Sequence, residues 1–188
     1  NLGHTNFSRR MIRALDGIAA YKVVLIHDTI PIDHPEHQRS GTVETFRAFL
    51  NRVEAGADLI LCNSHQTDRD LHRHLAAPPE TLVAPLGVDV TAPGQAPTGP
   101  WSRPYFVTLG TIEPRKNHAL LLDIWQELPQ PVPQLYLAGT RGWASADLLA
   151  RLDALPKDGP VQLLTGLRDG QISTLLSGAR ALLFPSLT

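Results

Sequence analysis

The chain has 188 residues, 43% hydrophobic and 19% charged, the balance of a soluble globular protein with enough material for one large or two small cored domains. Seventeen Lys and Arg against eighteen Asp and Glu leave a net charge of −1. No global field therefore draws it to nucleic acid or to an acidic membrane surface, and an anionic ligand has to be held by a local site. A single cysteine, Cys62, excludes an internal disulfide. With no disulfide, a reducing cytoplasm fits, and no apolar run approaches the roughly 20 residues that span a bilayer, so the chain reads as soluble and cytoplasmic, or at most peripheral to a membrane.

In chain order, residues 7–17 read as a helix and the apolar run 23–26 as a strand. Val43, Phe46, Phe49, Leu50 and Val53 recur at helical spacing across 42–56, ending at Gly56. A second apolar run, 59–62, contains Cys62, which reads as a small buried hydrophobe. Ser64 then caps a helix over 64–75, with Asp68 early and basic residues late, as the helix dipole favours. A third strand falls at 82–84. Four prolines and two glycines between Pro93 and Pro104 support neither helix nor central strand, which makes 97–104 a linker.

Beyond it, strands are expected at 105–109, 135–138, 161–164 and 181–184. Helices are expected at 118–128, 146–155 and 169–179, the last capped by Asp169. Continuous apolar strands alternating with helices mean a parallel sheet covered on both faces. The fold class is thus α/β, with two Rossmann-like, doubly wound domains at 1–96 and 105–188. Both look cut: the first lacks an opening strand and loop, and the second stops just after a strand.

The strongest chemical signal is the run Phe106-Val-Thr-Leu-Gly-Thr-Ile-Glu-Pro-Arg-Lys-Asn117. A buried strand runs out at Gly110, where a missing side chain lets backbone approach a ligand. Asn117 can cap the next helix. An anion there would meet the Arg115 fork, the Lys116 point charge and a helix N-terminus, a combination suited to a diphosphate. On spacing alone the same residues read equally as a solvated, exposed basic loop before a helix.

The segment Gly-Thr-Ile-Glu-Pro-Arg-Lys-Asn resembles the donor-phosphate motif of the group 1, family 4-like retaining glycosyltransferases of GT-B fold, which include bacterial mannosyl- and other hexosyltransferases. The likeness covers most of the chain. Val23-Val-Leu-Ile-His-Asp-Thr-Ile-Pro31, Ala57-Asp-Leu-Ile-Leu-Cys-Asn-Ser64 and Ala84-Pro-Leu-Gly-Val-Asp89 resemble family segments of the N-terminal, acceptor-side domain and its exit. Leu137-Ala-Gly-Thr-Arg-Gly-Trp143, Leu164-Thr-Gly-Leu-Arg-Asp169 and Ala179-Arg-Ala-Leu-Leu-Phe-Pro-Ser186 follow in the family's order.

The resemblance implies transfer of a hexose, with retention, from a nucleoside diphosphate sugar to a glycan or lipid-linked acceptor in cell-surface polysaccharide synthesis. It implies no cofactor and no metal, Arg115 and Lys116 taking the role of a divalent ion. Gly110 and Thr111 would give backbone contacts to the diphosphate, while Gly139, Leu167 and Arg168 would border the base and ribose. His27, at a strand's carboxyl end facing the cleft, would orient the reacting sugar. It reads alternatively as a turn residue satisfied by Asp28 or by backbone. The other histidines show no metal-ligand spacing. Two departures count against activity of this chain alone. The family's N-terminal Gly-rich loop is absent, and so is the paired-glutamate segment expected after Ser186. A non-catalytic nucleotide-binding Rossmann module and a GT-B-type sugar-nucleotide epimerase are the competing readings.

Overall fold

The apolar runs form strands because each residue can bury a branched or aromatic side chain on one face or the other of a covered sheet. The computed structural model of the chain describes residues 7–15, 18–95 and 104–187. Two compact units are present, Asn1–Val88 and Asp89–Thr188.

In the first unit, helix α1 (Arg9–Leu15) precedes strand β1 (Val23–Ile26), helix α2 (Ile30–Asp33), helix α3 (Thr42–Gly56), strand β2 (Leu59–Cys62), helix α4 (His65–His74) and strand β3 (Glu80–Val83). The strands are parallel and adjacent in the order β1-β2-β3, with Val23 opposite Leu59 and Leu59 opposite Glu80. Val24, Ile26, Ile60 and Cys62 point to one face, and the helical stripe Phe46, Phe49, Leu50 and Val53 of α3 packs there with Leu71 of α4. Each such side chain, taken from water, contributes about 1.5–3 kcal/mol. Cys62 is fully buried, and that burial, with the nearby Asp68 charge, raises its thiol to about 11. It behaves as a core residue. Ser64 caps α4 as expected, its Oγ accepting from the Thr67 N–H at 3.1 Å.

The structure differs from the sequence reading at two places in this unit. Residues 30–33, assigned no element above, form the short helix α2, because proline in the first turn needs no N–H. The third strand begins two residues earlier than its apolar run. As an edge strand it alternates exposed and half-buried residues, a pattern that a search for continuous apolar runs misses.

The second unit runs through strand β4 (Tyr105–Leu109), helix α5 (His118–Glu127), strand β5 (Gln134–Ala138), helix α6 (Ala146–Asp153), strand β6 (Val161–Leu164), helix α7 (Asp169–Gly178) and strand β7 (Ala181–Leu182). All pair in parallel, in the order β6-β5-β4-β7. The central strand β5 is buried at every position, and its alternation assigns the two faces. Leu135 and Leu137 meet Leu121, Leu122 and Trp125 of α5 and Leu148 and Leu152 of α6. Tyr136 and Ala138 meet Leu175 of α7 together with Tyr105 and Val107. Both faces are therefore covered. Residues 89–95 belong to this unit rather than to the first: Gly94 donates to the Gly170 carbonyl at 2.8 Å, and Ser173 Oγ to the Thr91 carbonyl at 2.7 Å. Most of the expected linker lies outside the described residues.

Candidate functional site

The strand order places a topological switch at β4. From β4 the chain steps outward to β5 and β6, then returns to set β7 on the other side of β4. At such a point the loops leaving neighbouring strands diverge and open a crevice beyond the carboxyl ends, where α/β sheets take ligands.

The Gly110-to-Asn117 segment leaves β4 at that crevice. Gly110 has φ 143°, a backbone conformation that residues with a Cβ rarely adopt. Its N–H donates to the Ala138 carbonyl at 2.9 Å, and Gly139 donates to the Leu164 carbonyl at 2.9 Å, so the ladder continues past the strand ends. A Cβ on Gly139 would lie 1.9 Å from the Gly110 oxygen. The two glycines thus form a close backbone crossing. Thr111 is exposed beside it, and the Ile112 N–H donates to the Thr140 carbonyl at 2.9 Å.

Next, Pro114–Lys116 form one 3-10 turn. Arg115 and Lys116 are half-buried rather than lying in an exposed loop. Arg115 Nε is 2.7 Å from Glu113 Oε1, and the Arg115 carbonyl accepts the Leu187 N–H at 2.9 Å. Lys116 Nζ stands 5.6 Å from the centre of the Phe184 ring, and the side-chain stem of Lys116 runs past Gly110. The segment after β7 therefore crosses the basic pair, which is how the switch brings both to one place.

Asn117 does not cap α5 with its side chain. It adopts left-handed backbone angles (φ 53°, ψ 40°), closing the 3-10 turn and redirecting the chain into the helix. His118, the first residue of α5, is buried and its Nδ1 has no hydrogen-bond partner among the described residues. Burial lowers its pKa from the ordinary imidazole value, Lys116 lowers it further, and Glu113 partly opposes them. The ring is therefore neutral near pH 7 and adds no cation to the site.

Gly139 and Leu167 meet in one pocket of about 210 Å³ at the ends of β4, β5 and β6, walled also by Leu109, Ala138, Leu164 and Ile172. The walls are mostly apolar, as a planar heterocycle would require. Arg168 is exposed and is not among the residues that line this pocket. It occupies the N-cap position expected of Asp169, and its N–H donates to Gln171 Oε1 at 3.0 Å, while Asp169 is the first helical residue.

His27 lies in the first unit, exposed at the end of β1, on the wall of a cavity of about 580 Å³ with Asp28, Pro31, Ser40, Thr42 and Thr45. The turn is built without its ring. Asp28 Oδ1 accepts the Ile30 N–H at 3.1 Å, and the His27 carbonyl accepts Thr67 Oγ1 at 2.9 Å. The imidazole takes no hydrogen bond among the described residues. Glu113 is the residue to which the sequence reading gave no role; its signal was a carboxylate two positions before a guanidinium, across a proline.

No family model matches the chain. Two forms of the serotype-specific mannosyltransferase WbdA of Escherichia coli are each 27% identical over 93% of this chain, which spans 24% of their length. The O-antigen chain mannosyltransferase B of Escherichia coli is 33% identical over 44% of this chain and 22% of its own. Among solved structures, Anabaena HepE in complex with UDP-glucose superposes with a TM-score of 0.74 at 19% identity, covering 99% of this chain and 52% of its own. HepE with UDP and glucose gives 0.70 at 18%, over 96% and 51%. The fold is GT-B. The chain spans about a quarter of the length of the mannosyltransferases that it matches. Among the described residues, no helix is long and apolar enough to cross a membrane.

Proposed function

We propose that this chain is the part of a glycosyltransferase that holds a nucleoside diphosphate sugar and passes its hexose to a glycan or lipid-linked acceptor. The observation that carries the reading is the basic pair Arg115–Lys116, set at the topological switch beside the Gly110–Gly139 crossing. Support comes from the similarity to WbdA mannosyltransferases and from the shared fold with HepE, whose structures contain UDP-glucose or UDP.

In this reading Gly110 and Thr111 contact the diphosphate through backbone, and Arg115 and Lys116 face its charge. As the bond between the sugar's anomeric carbon and the diphosphate oxygen breaks, negative charge grows on the leaving oxygen. Cations already in place stabilise that state more than the ground state, and so accelerate transfer. This is the role a divalent ion would otherwise fill, so the reaction is read as metal-independent and free of cofactors. The Gly139–Leu167 pocket takes the base, with Arg168 nearby in sequence. His27 is read as orienting sugar hydroxyls, and transfer proceeds with retention in polysaccharide synthesis.

The test is calorimetric titration of the full chain with UDP, GDP and ADP at low salt. At least one is expected to bind, and Lys116→Ala is expected to weaken it at least about tenfold, a loss of roughly 1.4 kcal/mol, with little change in melting temperature. Absence of binding by all three, or a Lys116→Ala variant that melts early yet binds as wild type, would defeat the reading.

A further inference from the structure

We infer that Glu113 is a positioning residue of the anion site, its carboxylate holding Arg115 by Nε so that the outer edge of the guanidinium stays open for a diphosphate. This rests on the reading of Arg115 and Lys116 as a phosphate grip.

A carboxylate inside an anion site calls for an explanation, because its own charge repels the ligand. The geometry supplies one. Glu113 is only 16% exposed at its side chain and Arg115 29%, so the pair is partly withdrawn from water and held more firmly than a surface pair. The shortest contact is made to Nε, at 2.7 Å, and no second acidic side chain pairs with Arg115 among the described residues. A guanidinium bound along its Nε side keeps the two-pronged terminal edge that matches phosphate oxygens.

The backbone fixes both ends of the pair. Pro114 lies between them with its restricted φ, the Glu113 carbonyl accepts the Lys116 N–H at 3.1 Å, and the Arg115 carbonyl accepts the Leu187 N–H. A long, flexible side chain is thereby ordered before the ligand arrives, and preorganisation of that kind raises affinity by removing an ordering cost from the binding step. Glu113 thus stands at the start of the turn that presents both cations.

The two possible roles of this carboxylate have opposite signs. If it acts only through its charge, its removal makes the site more cationic and tightens anion binding. If it positions Arg115, its removal loosens the site. Titration of the full chain with UDP and GDP at low salt, using Glu113→Ala, Glu113→Gln, Arg115→Ala and the Glu113→Ala/Arg115→Ala double variant, separates them. The expected result is about fivefold weaker binding for Glu113→Ala and about twofold for Glu113→Gln, which keeps an oxygen for Nε.

In the Arg115→Ala background, Glu113→Ala is expected to leave affinity unchanged or to tighten it, since there is no guanidinium left to position. Wild-type or tighter binding by Glu113→Ala overturns the inference. Equal weakening with and without Arg115 overturns it as well, because Glu113 would then act through the fold. Should Glu113→Ala melt early, Glu113→Gln decides: a folded variant with wild-type affinity overturns the proposal. A wild-type chain that binds neither nucleotide removes the phosphate reading itself, and this inference with it.

Discussion

Replacing Gly139 by alanine adds one methyl group at the tightest glycine crossing among the described residues. The new Cβ would stand 1.9 Å from the Gly110 oxygen and 2.6 Å from its carbonyl carbon, where ordinary contact begins near 3.4 Å. The Gly110 oxygen must therefore retreat by about 1.5 Å, the gap between those two distances. The obstacle is backbone, so no side chain can rotate out of the way. Retreat is resisted by the bonds on either side, Gly110 N–H to the Ala138 carbonyl and Gly139 N–H to the Leu164 carbonyl, both 2.9 Å. Overpacking of this kind costs about 1–3 kcal/mol, and disturbing one ladder hydrogen bond adds about 1 kcal/mol.

A loss of about 2–4 kcal/mol in a unit of this size should lower its melting temperature by at least about 8 °C. The chain's three tryptophans, Trp101, Trp125 and Trp143, all come after residue 88 in sequence, and the two described ones, Trp125 and Trp143, lie in the second unit. Intrinsic fluorescence during heating therefore follows that unit. Gly87→Ala, in the first unit and so followed by circular dichroism rather than by fluorescence, is the control for an added methyl with nothing within 4 Å of it, and it should shift stability by no more than about 0.5 kcal/mol. Because Gly110 leads into the basic turn, Gly139→Ala should also weaken nucleoside diphosphate binding at temperatures where it remains folded. A Gly139→Ala protein that melts within about 2 °C of wild type would refute the close crossing on which this reasoning depends.

In the active protein, His27→Ala is expected to lower kcat while leaving nucleoside diphosphate affinity within about threefold, because its ring is in the other unit and its work is alignment. His27→Gln, which keeps hydrogen-bonding capacity, should retain more activity, and wild-type rates for both variants would reduce His27 to a strand-end residue. Asp33 accepts from Thr29 at the start of its own helix and ties α2 to α4 through His74 at 2.7 Å and Arg73 at 3.3 Å. Burial alone would raise its pKa, but those hydrogen bonds and the His74 charge together hold it below 3.8. A depressed carboxylate stabilises the fold above its unfolded value and loses that contribution as pH falls through the folded one. Asp33→Asn should therefore cost about 1–2 kcal/mol at pH 5 by urea denaturation, and the difference from wild type should shrink below pH 3.8. A difference that stays constant down to pH 2 would remove the carboxylate from that role.

Much of the architecture was legible in residue order alone. The strands Val23–Ile26, Leu59–Cys62, Tyr105–Leu109 and Val161–Leu164 and the helix Thr42–Gly56 stand where apolar runs and helical spacing put them. Those signals are local: a buried strand needs consecutive apolar residues, and an amphipathic helix needs them at 3.6-residue spacing. The basic pair after Gly110 was legible for the same reason, since a strand end, a glycine and two cations are neighbours in sequence.

What tertiary structure decided involves partners distant in sequence or a backbone angle set by its surroundings. Residue types permitted Asn117 to cap α5 and Asp169 to cap α7, but left-handed backbone at Asn117 and the placement of Arg168 at the N-cap settled both otherwise. The strand order β6-β5-β4-β7 creates the switch, and only that order carries Phe184 and Leu187 back over Lys116 and Arg115. Gly139 looked like a ligand-facing residue, yet its missing side chain is also required by the Gly110 oxygen from an adjacent strand end. Periodicity reports which face of an element is buried, whereas strand pairing chooses what that face and its ends will meet, and that choice is made by the whole chain at once.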